Sequence, residues 1–125
     1  MAALTKSAAI DKAFALAKNE PSPVEQARLF FEIAENYRSL AKSPKVKEVY
    51  DLLKTLASAN STEPDVQYYE TQVRQWVADI DFKAILVPGL AAAKKQEAIE
   101  KYLGYYSGSE LADAYLRVVE QLPVS

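Results

Sequence analysis

The chain has 125 residues, 50% of them hydrophobic and 26% charged, a composition that suits one globular domain able to bury a core without metal or disulfide staples. It contains no cysteine and no histidine, so disulfides, thiolate nucleophiles, Cys/His zinc sites and histidine acid–base chemistry are excluded. Fifteen Lys and Arg against seventeen Asp and Glu leave a net charge of −2, without the basic excess of a nucleic-acid binder.

Helical periodicity governs the chain from its start. Over residues 5–19, Ile10, Ala13, Phe14 and Ala17 recur at i, i+3, i+4 and i+7, one face of a helix, and Pro21 ends it. Asp11, Lys12 and Lys18 break up any apolar stretch here, so the segment reads as the first helix of the domain rather than a secretory signal, and a cytoplasmic protein is expected. Ser22-Pro23-Val24-Glu25 then starts a second helix, with Ser22 at the N-cap, Pro23 at the first helical position and Glu25 closing a capping box. It is expected to reach Lys42, with Ala27, Phe30, Phe31, Ala34, Tyr37 and Ala41 on one face and Leu29, Ile33 and Leu40 widening the arc.

Ser43-Pro44 repeats the start signal. A third helix to about Ser58 turns Val46, Val49, Tyr50, Leu53, Leu56 and Ala57 inward, and the short turn makes it the neighbour of the second. Thr62-Glu63-Pro64-Asp65 opens a fourth helix whose Val66, Tyr69, Val73, Trp76 and Ile80 follow a heptad-like spacing. Its end is ambiguous: it runs to Leu86, or Asp81 caps a separate short turn. Pro88-Gly89 breaks the chain. A fifth helix, Leu90 to Leu103, buries Ala92, Ile99, Tyr102 and Leu103, with Gly104 expected in the left-handed conformation after its end. Ser107 and Glu110 form a capping box for a last helix to about Leu122, whose Leu111, Tyr115, Val118 and Leu122 face inward. Pro123 closes it.

No stretch alternates with the period of a strand. The expected fold is therefore all-α, a helical bundle of five or six helices with four main antiparallel helices plus short ones, forming a single domain over residues 1–125. The longest apolar run, Ala84 to Ala93, is interrupted by Pro88 and Gly89 and is half the ~20 residues of a transmembrane helix.

The three glycines, Gly89, Gly104 and Gly108, do not space into a phosphate loop. Glu-x-x-His pairs for a di-iron bundle are absent. Glu32 and Glu35 share a helix face, and Asp79 and Asp81 flank Ile80, but both pairs read better as solvated or helix-end carboxylates than as an acid–base or cation site. Asn60-Ser61-Thr62 fits the glycosylation sequon, a poor guide without a signal peptide. No cofactor and no metal is expected.

What remains is surface chemistry. Arg38, Lys42, Lys45 and Lys47 surround the turn before the third helix, where a helix N-terminus and lysines could meet an anion or an acidic partner. Eight tyrosines are present; Tyr105 and Tyr106, next to Gly104 and Gly108, could form an exposed docking knob. Phe82, Ile85, Leu86, Val87 and Leu90 make a dense apolar segment that plugs a bundle end or offers a patch. The expectation is a non-catalytic protein–protein interaction module, a small subunit or adaptor bound to a protein partner through Tyr105, Tyr106, Arg38, Lys42, Lys45 and Lys47, with the oligomeric state open. The alternative is a carrier of a small apolar or lipid-like ligand in a pocket lined by Trp76, Tyr102, Tyr115 and Phe82.

Overall fold

Proline starts three of the helices. A fixed φ and a missing N–H suit the first helical turn: Pro23 begins α2 (Pro23–Ser39), Pro44 sits in the first turn of α3 (Ser43–Ala59), and Pro64 begins α4 (Pro64–Ile85). The computed structural model, which describes residues 3–124, adds α1 (Lys6–Ala17), α5 (Ala92–Leu103), α6 (Gly108–Val118) and a 3₁₀ turn, Val119–Gln121. The fold is all-α, with the packing of neighbouring helices that defines a helical bundle and no strand among the described residues. None of these helices is long and apolar enough to cross a membrane. Packing divides the chain into two compact units, one up to Val77 and one from Ala78 on, so the boundary falls inside α4.

The first unit is built mainly on the faces the helices were expected to bury, with Ala41 exposed in the turn after α2 and Phe31, Tyr69 and Trp76 half-buried. Phe14 meets the rings of Phe30 and Tyr37 edge-on, with centroids 6.1 and 6.2 Å apart. Val46, Val49, Leu53, Val66, Val73 and Val77 have no accessible surface. Two tyrosines at the core boundary keep their hydroxyls partnered: Tyr37 donates to Asp11, tying α2 to α1, and Tyr50 donates to Glu70 Oε2 at 3.2 Å, tying α3 to α4. Ala13, expected inward, is exposed, because only Phe14 and Ala17 of α1 reach the core.

Two glutamines close helix ends in the same way. Gln26, three residues after Pro23, donates to the carbonyls of Ala17 and Lys18 at the end of α1. Gln67, three residues after Pro64, donates to those of Ala57 and Asn60 at the end of α3. Each satisfies carbonyls that a helix C-terminus leaves without intrahelical partners.

The second helix stops at Ser39 rather than Lys42. Lys42 N–H bonds the Tyr37 carbonyl at 2.9 Å and Ala41 N–H bonds that of Arg38 at 3.0 Å, the paired bonds of a Schellman ending. This requires Ala41 in the left-handed region, at φ 56°. Lys42, not Ser43, is then the N-cap of α3, and no side chain caps it. Alanine is a poor residue for that conformation, so Ala41→Gly is expected to stabilise the protein by about 0.5–1 kcal/mol and raise its melting temperature by a few degrees. Differential scanning calorimetry checks this; a lower melting temperature would show the turn does not hold Ala41 as described.

At the start of α2 only half of the expected capping box forms. Ser22 Oγ accepts from Glu25 N–H at 3.4 Å. The return bond comes from elsewhere: Ser22 N–H donates to Glu20, while Glu25 pairs with Arg28.

In the second unit, the end of α4 packs with α5 and α6 around Ala78, Ile85, Ile99, Tyr102, Ala114 and Val118. The ambiguity at Asp79–Phe82 resolves as continuous helix, since α4 runs to Ile85. Gly104 is right-handed, at φ −63°, against expectation; the positive-φ glycines are Gly89 and Gly108. Ser107 is the N-cap of α6 in extended backbone but makes no capping bond with its side chain.

Candidate functional site

The basic turn is largely spent within the first unit. The Arg38 guanidinium lies 4.8 Å from the centre of the Trp76 ring, a cation–π contact. Lys42 donates to Ser7 on α1. Lys45 pairs with Glu48 at 3.4 Å, an exposed contact of little energy. Lys47 is half-buried. Arg38, Lys42 and Lys45 are thus drawn to three different neighbours, on α4, α1 and α3.

Tyr105 and Tyr106 do not project as a knob. Both are half-buried against the core of the second unit. Tyr105 donates its hydroxyl to Asp81, and Tyr106 packs edge-on to Tyr102 at 5.6 Å. The chain leaves α5 through a right-handed Gly104, which keeps the loop folded on the unit.

Asp79 and Asp81 do not form an acid–base pair. Two residues apart on a continuous helix, they point to different sides. Asp79 accepts from Arg117 of α6 at 3.0 Å. Asp81, 4% exposed, takes the Tyr105 hydroxyl and lies 3.9 Å from Lys101 of α5. They are the polar ties that hold α5 and α6 to α4. Arg117 is the centre of the arrangement, with its guanidinium 4.1 Å from the Phe82 ring and 5.7 Å from that of Tyr102. Charge pairing alone could not have picked out Arg117, which is 38 residues from Asp79.

Glu32 pairs with Arg28 at 2.6 Å and Glu35 is exposed, the solvated face expected of them. Among the described residues no three Asp or Glu side chains gather as a metal site.

Of the four residues assigned to a ligand pocket, Tyr102 lines a groove of the second unit. Trp76 belongs to the first unit, stacked on Phe31 at 5.3 Å. Phe82 and Tyr102 belong to the second, with rings 5.1 Å apart. Tyr115 points outward, 54% exposed. Surface grooves among the described residues include one of about 380 Å³ beside Phe30, Leu52 and Leu56 in the first unit, one of about 550 Å³ between the start of α5 and Leu122, and one of about 250 Å³ beside Tyr102, Tyr106 and Arg117.

Burial beside the Tyr102 ring and hydroxyl pushes the Tyr106 hydroxyl up to about 12. Burial, reinforced by Asp11 and Glu70 respectively, also raises Tyr37 and Tyr50. Each folded value lies above the unfolded value near 10. The stability these tyrosines contribute is thus fully present below about pH 10 and is lost as pH rises through their folded values. Alkaline titration followed at the tyrosinate absorbance should show part of the signal appearing only near pH 12 or with unfolding. Tyr106→Phe should flatten the fall in melting temperature above pH 10; an unchanged slope would exclude its part in it.

The outer face of α6 is the feature that sequence reasoning misplaced. Tyr115, Leu116 and Val119 are 54%, 69% and 55% exposed, and Leu122 is 44% exposed. Ala112, also exposed, stands with Tyr115, Leu116 and Val119 at i, i+3, i+4 and i+7, an apolar stripe that α6 carries to its C-cap, and Leu122 follows beyond the 3₁₀ turn. The inward positions are taken by Leu111, Ala114 and Val118. α6 is apolar over more than half its circumference, and the core takes only one side. Leu86 and Val87, after α4, are also about half exposed, so the apolar segment around Phe82 closes the unit only in part. Side chains of this size in one stripe amount to a patch of several hundred Å², the scale at which apolar surface marks an interaction site.

The fold and this surface define a class, an all-α helical protein with one uncovered amphipathic face. Comparison of the chain with family models, with curated proteins and with solved structures finds no match.

Proposed function

We propose that the protein is a helical protein–protein interaction module, a small subunit or adaptor that docks on a larger assembly, and that α6 is its docking element. The observation that carries this reading is the apolar stripe Ala112, Tyr115, Leu116 and Val119, exposed on α6 and its C-cap with Leu122 just beyond, while the opposite side of the helix is packed. Leaving such a face in water forgoes burial worth about 25 cal/mol per Å², a term recovered when a partner covers it. Tyr115 adds a ring that buries much area at low entropic cost with a polar tip.

The test compares the wild type with the double variant Leu116→Asp/Val119→Asp in a pull-down from the native host extract. Stoichiometric partners are expected with the wild type and lost with the variant, while circular dichroism and melting temperature stay close to wild type because both positions are exposed. Partners retained by the variant would move docking away from α6. A wild type that captures nothing, yet carries a bound small molecule in native mass spectrometry, would replace this reading with that of a carrier.

A further inference from the structure

We propose that the turn between α4 and α5 is a membrane contact, a short apolar wedge that lodges in the headgroup boundary of an anionic lipid surface and is held there by lysines on both sides. From Ala84 to Ala93 no polar side chain occurs, and the run is bracketed by Lys83 before it and by Lys94 and Lys95 after it. Between Phe82 and Gln96 there is no acidic residue. The fold leaves most of this run in water. Ile85 is buried and Leu90 half-buried, and they anchor its two sides. Between them Leu86 and Val87 are 46% and 51% exposed. Pro88 and Gly89, both exposed, make the turn, with Gly89 at φ 73°, the positive value of a central turn glycine. A Cβ at Gly89 would meet no atom within 4 Å, so the turn stands clear of its surroundings there.

Charge selects the surface. Lys83 lies in the last turn of α4, and Lys94 and Lys95 among the opening residues of α5. Lysines at a helix start oppose the macrodipole, and no side chain caps α5; both features favour an anion at this end. Lys94 pairs with Glu97 at 3.8 Å, the two side chains 71% and 74% exposed, a contact of little energy. Lys83 and Lys95 enter no ion pair among the described residues. Glu120 borders the groove that Lys95 also lines, so three lysines stand here against two carboxylates.

At the boundary of a bilayer, Leu86 and Val87 enter the upper acyl region while the lysine stems lie along apolar surface and carry their ammonium groups to the phosphates. Water at that depth still serves the N–H and C=O groups of the turn, which the hydrocarbon core would leave unsatisfied. An acidic protein surface fits less well. Residues 86–91 have neither helical nor strand structure to set a register, and no polar side chain among them can direct a hydrogen bond. A lipid boundary requires only an apolar tip and flanking cations.

The experiment uses the full chain with vesicles of phosphatidylcholine, alone or mixed with phosphatidylserine, at low ionic strength. The chain has no cysteine of its own, so Val87→Cys places an environment-sensitive dye at the turn alone, and Ser58→Cys places it at an exposed position of α3. The dye at position 87 should shift to the blue with the mixed vesicles only, the dye at position 58 should not shift, and added salt should reverse the effect. The unlabelled chain should sediment with the mixed vesicles. Lys83→Gln/Lys94→Gln/Lys95→Gln should lower that affinity about tenfold or more, and Leu86→Ser/Val87→Ser should remove it while circular dichroism stays unchanged, because both positions are exposed. Sedimentation with neither vesicle, or equally with both, overturns the proposal. So does a dye at position 87 that stays in water while the chain sediments, or sedimentation that survives the lysine or the Leu86 and Val87 substitutions. The labelled chains decide the matter even where a loop variant fails to fold.

Discussion

Replacing Tyr102 with alanine is expected to cost about 3–5 kcal/mol, the range for removing a large buried aromatic. Tyr102 is 2% exposed at the centre of the second unit. Its ring meets Phe82 at 5.1 Å and Tyr106 at 5.6 Å, and the Arg117 guanidinium lies 5.7 Å away. The alanine variant would leave a cavity between α4, α5 and α6 and strip Arg117 of one of its ring faces. Against a total stability of about 5–15 kcal/mol for a typical domain, that loss should expose α5 and α6 to hydrogen exchange at neutral pH. Tyr102→Phe keeps the rings and removes the long bond from Arg117, 3.4 Å, with the hydroxyl contact to Tyr106, so it should cost about 1 kcal/mol, far less than the alanine variant. Urea unfolding of both variants decides the matter; equal losses would place the contribution in the hydroxyl rather than the ring.

Leu53→Ala should cost about 2–5 kcal/mol, and Leu52→Ala under about 1 kcal/mol. The two leucines are adjacent in α3, yet Leu53 has no accessible surface and Leu52 is 37% exposed at the edge of a groove. Truncating Leu53 opens a hole among side chains already in contact, and an interior packed to crystal density relaxes only partly into it. Truncating Leu52 removes atoms that water already reaches. Thermal unfolding of the pair tests this directly, and similar shifts in melting temperature would mean that the register of α3 is wrong.

The same contrast marks the limit of periodicity as a guide. In α3 the apolar arc is narrow, and the residues read as inward are the ones that are buried, Leu56 alone being only half-buried. In α6 the arc is wide, and the sequence has no means of saying which part of it the core occupies. Tyr115 and Leu122 were assigned to the core and lie outside; Ala114, too small to attract notice, lies inside. The candidate interaction surface was invisible for this reason, since its residues look like core in one dimension.

Polar residues behaved similarly. Asp79 and Asp81 were noticed for being close in sequence, but their roles follow from Arg117, Tyr105 and Lys101, which only folding brings near. Tyr105 and Tyr106 were noticed for their neighbouring glycines, and a loop folded back on Tyr102 and Asp81 leaves them half-buried rather than projecting.

By itself, the sequence determined what is local: helix starts at Pro23, Pro44 and Pro64, helix type throughout, the absence of histidine and cysteine chemistry, and the inward faces of narrow amphipathic helices. Proline geometry and a 3.6-residue period act within a few residues of chain, so one dimension suffices to read them. The tertiary structure alone decided what depends on a distant neighbour. The turn at Ala41 is left-handed because α3 follows at once, Gln26 and Gln67 cap the helices before their own, Arg117 reaches Asp79, and the core claims one side of α6 and leaves the other in water. Each of these is a choice between contacts of similar local energy, and only packing against the rest of the chain separates them.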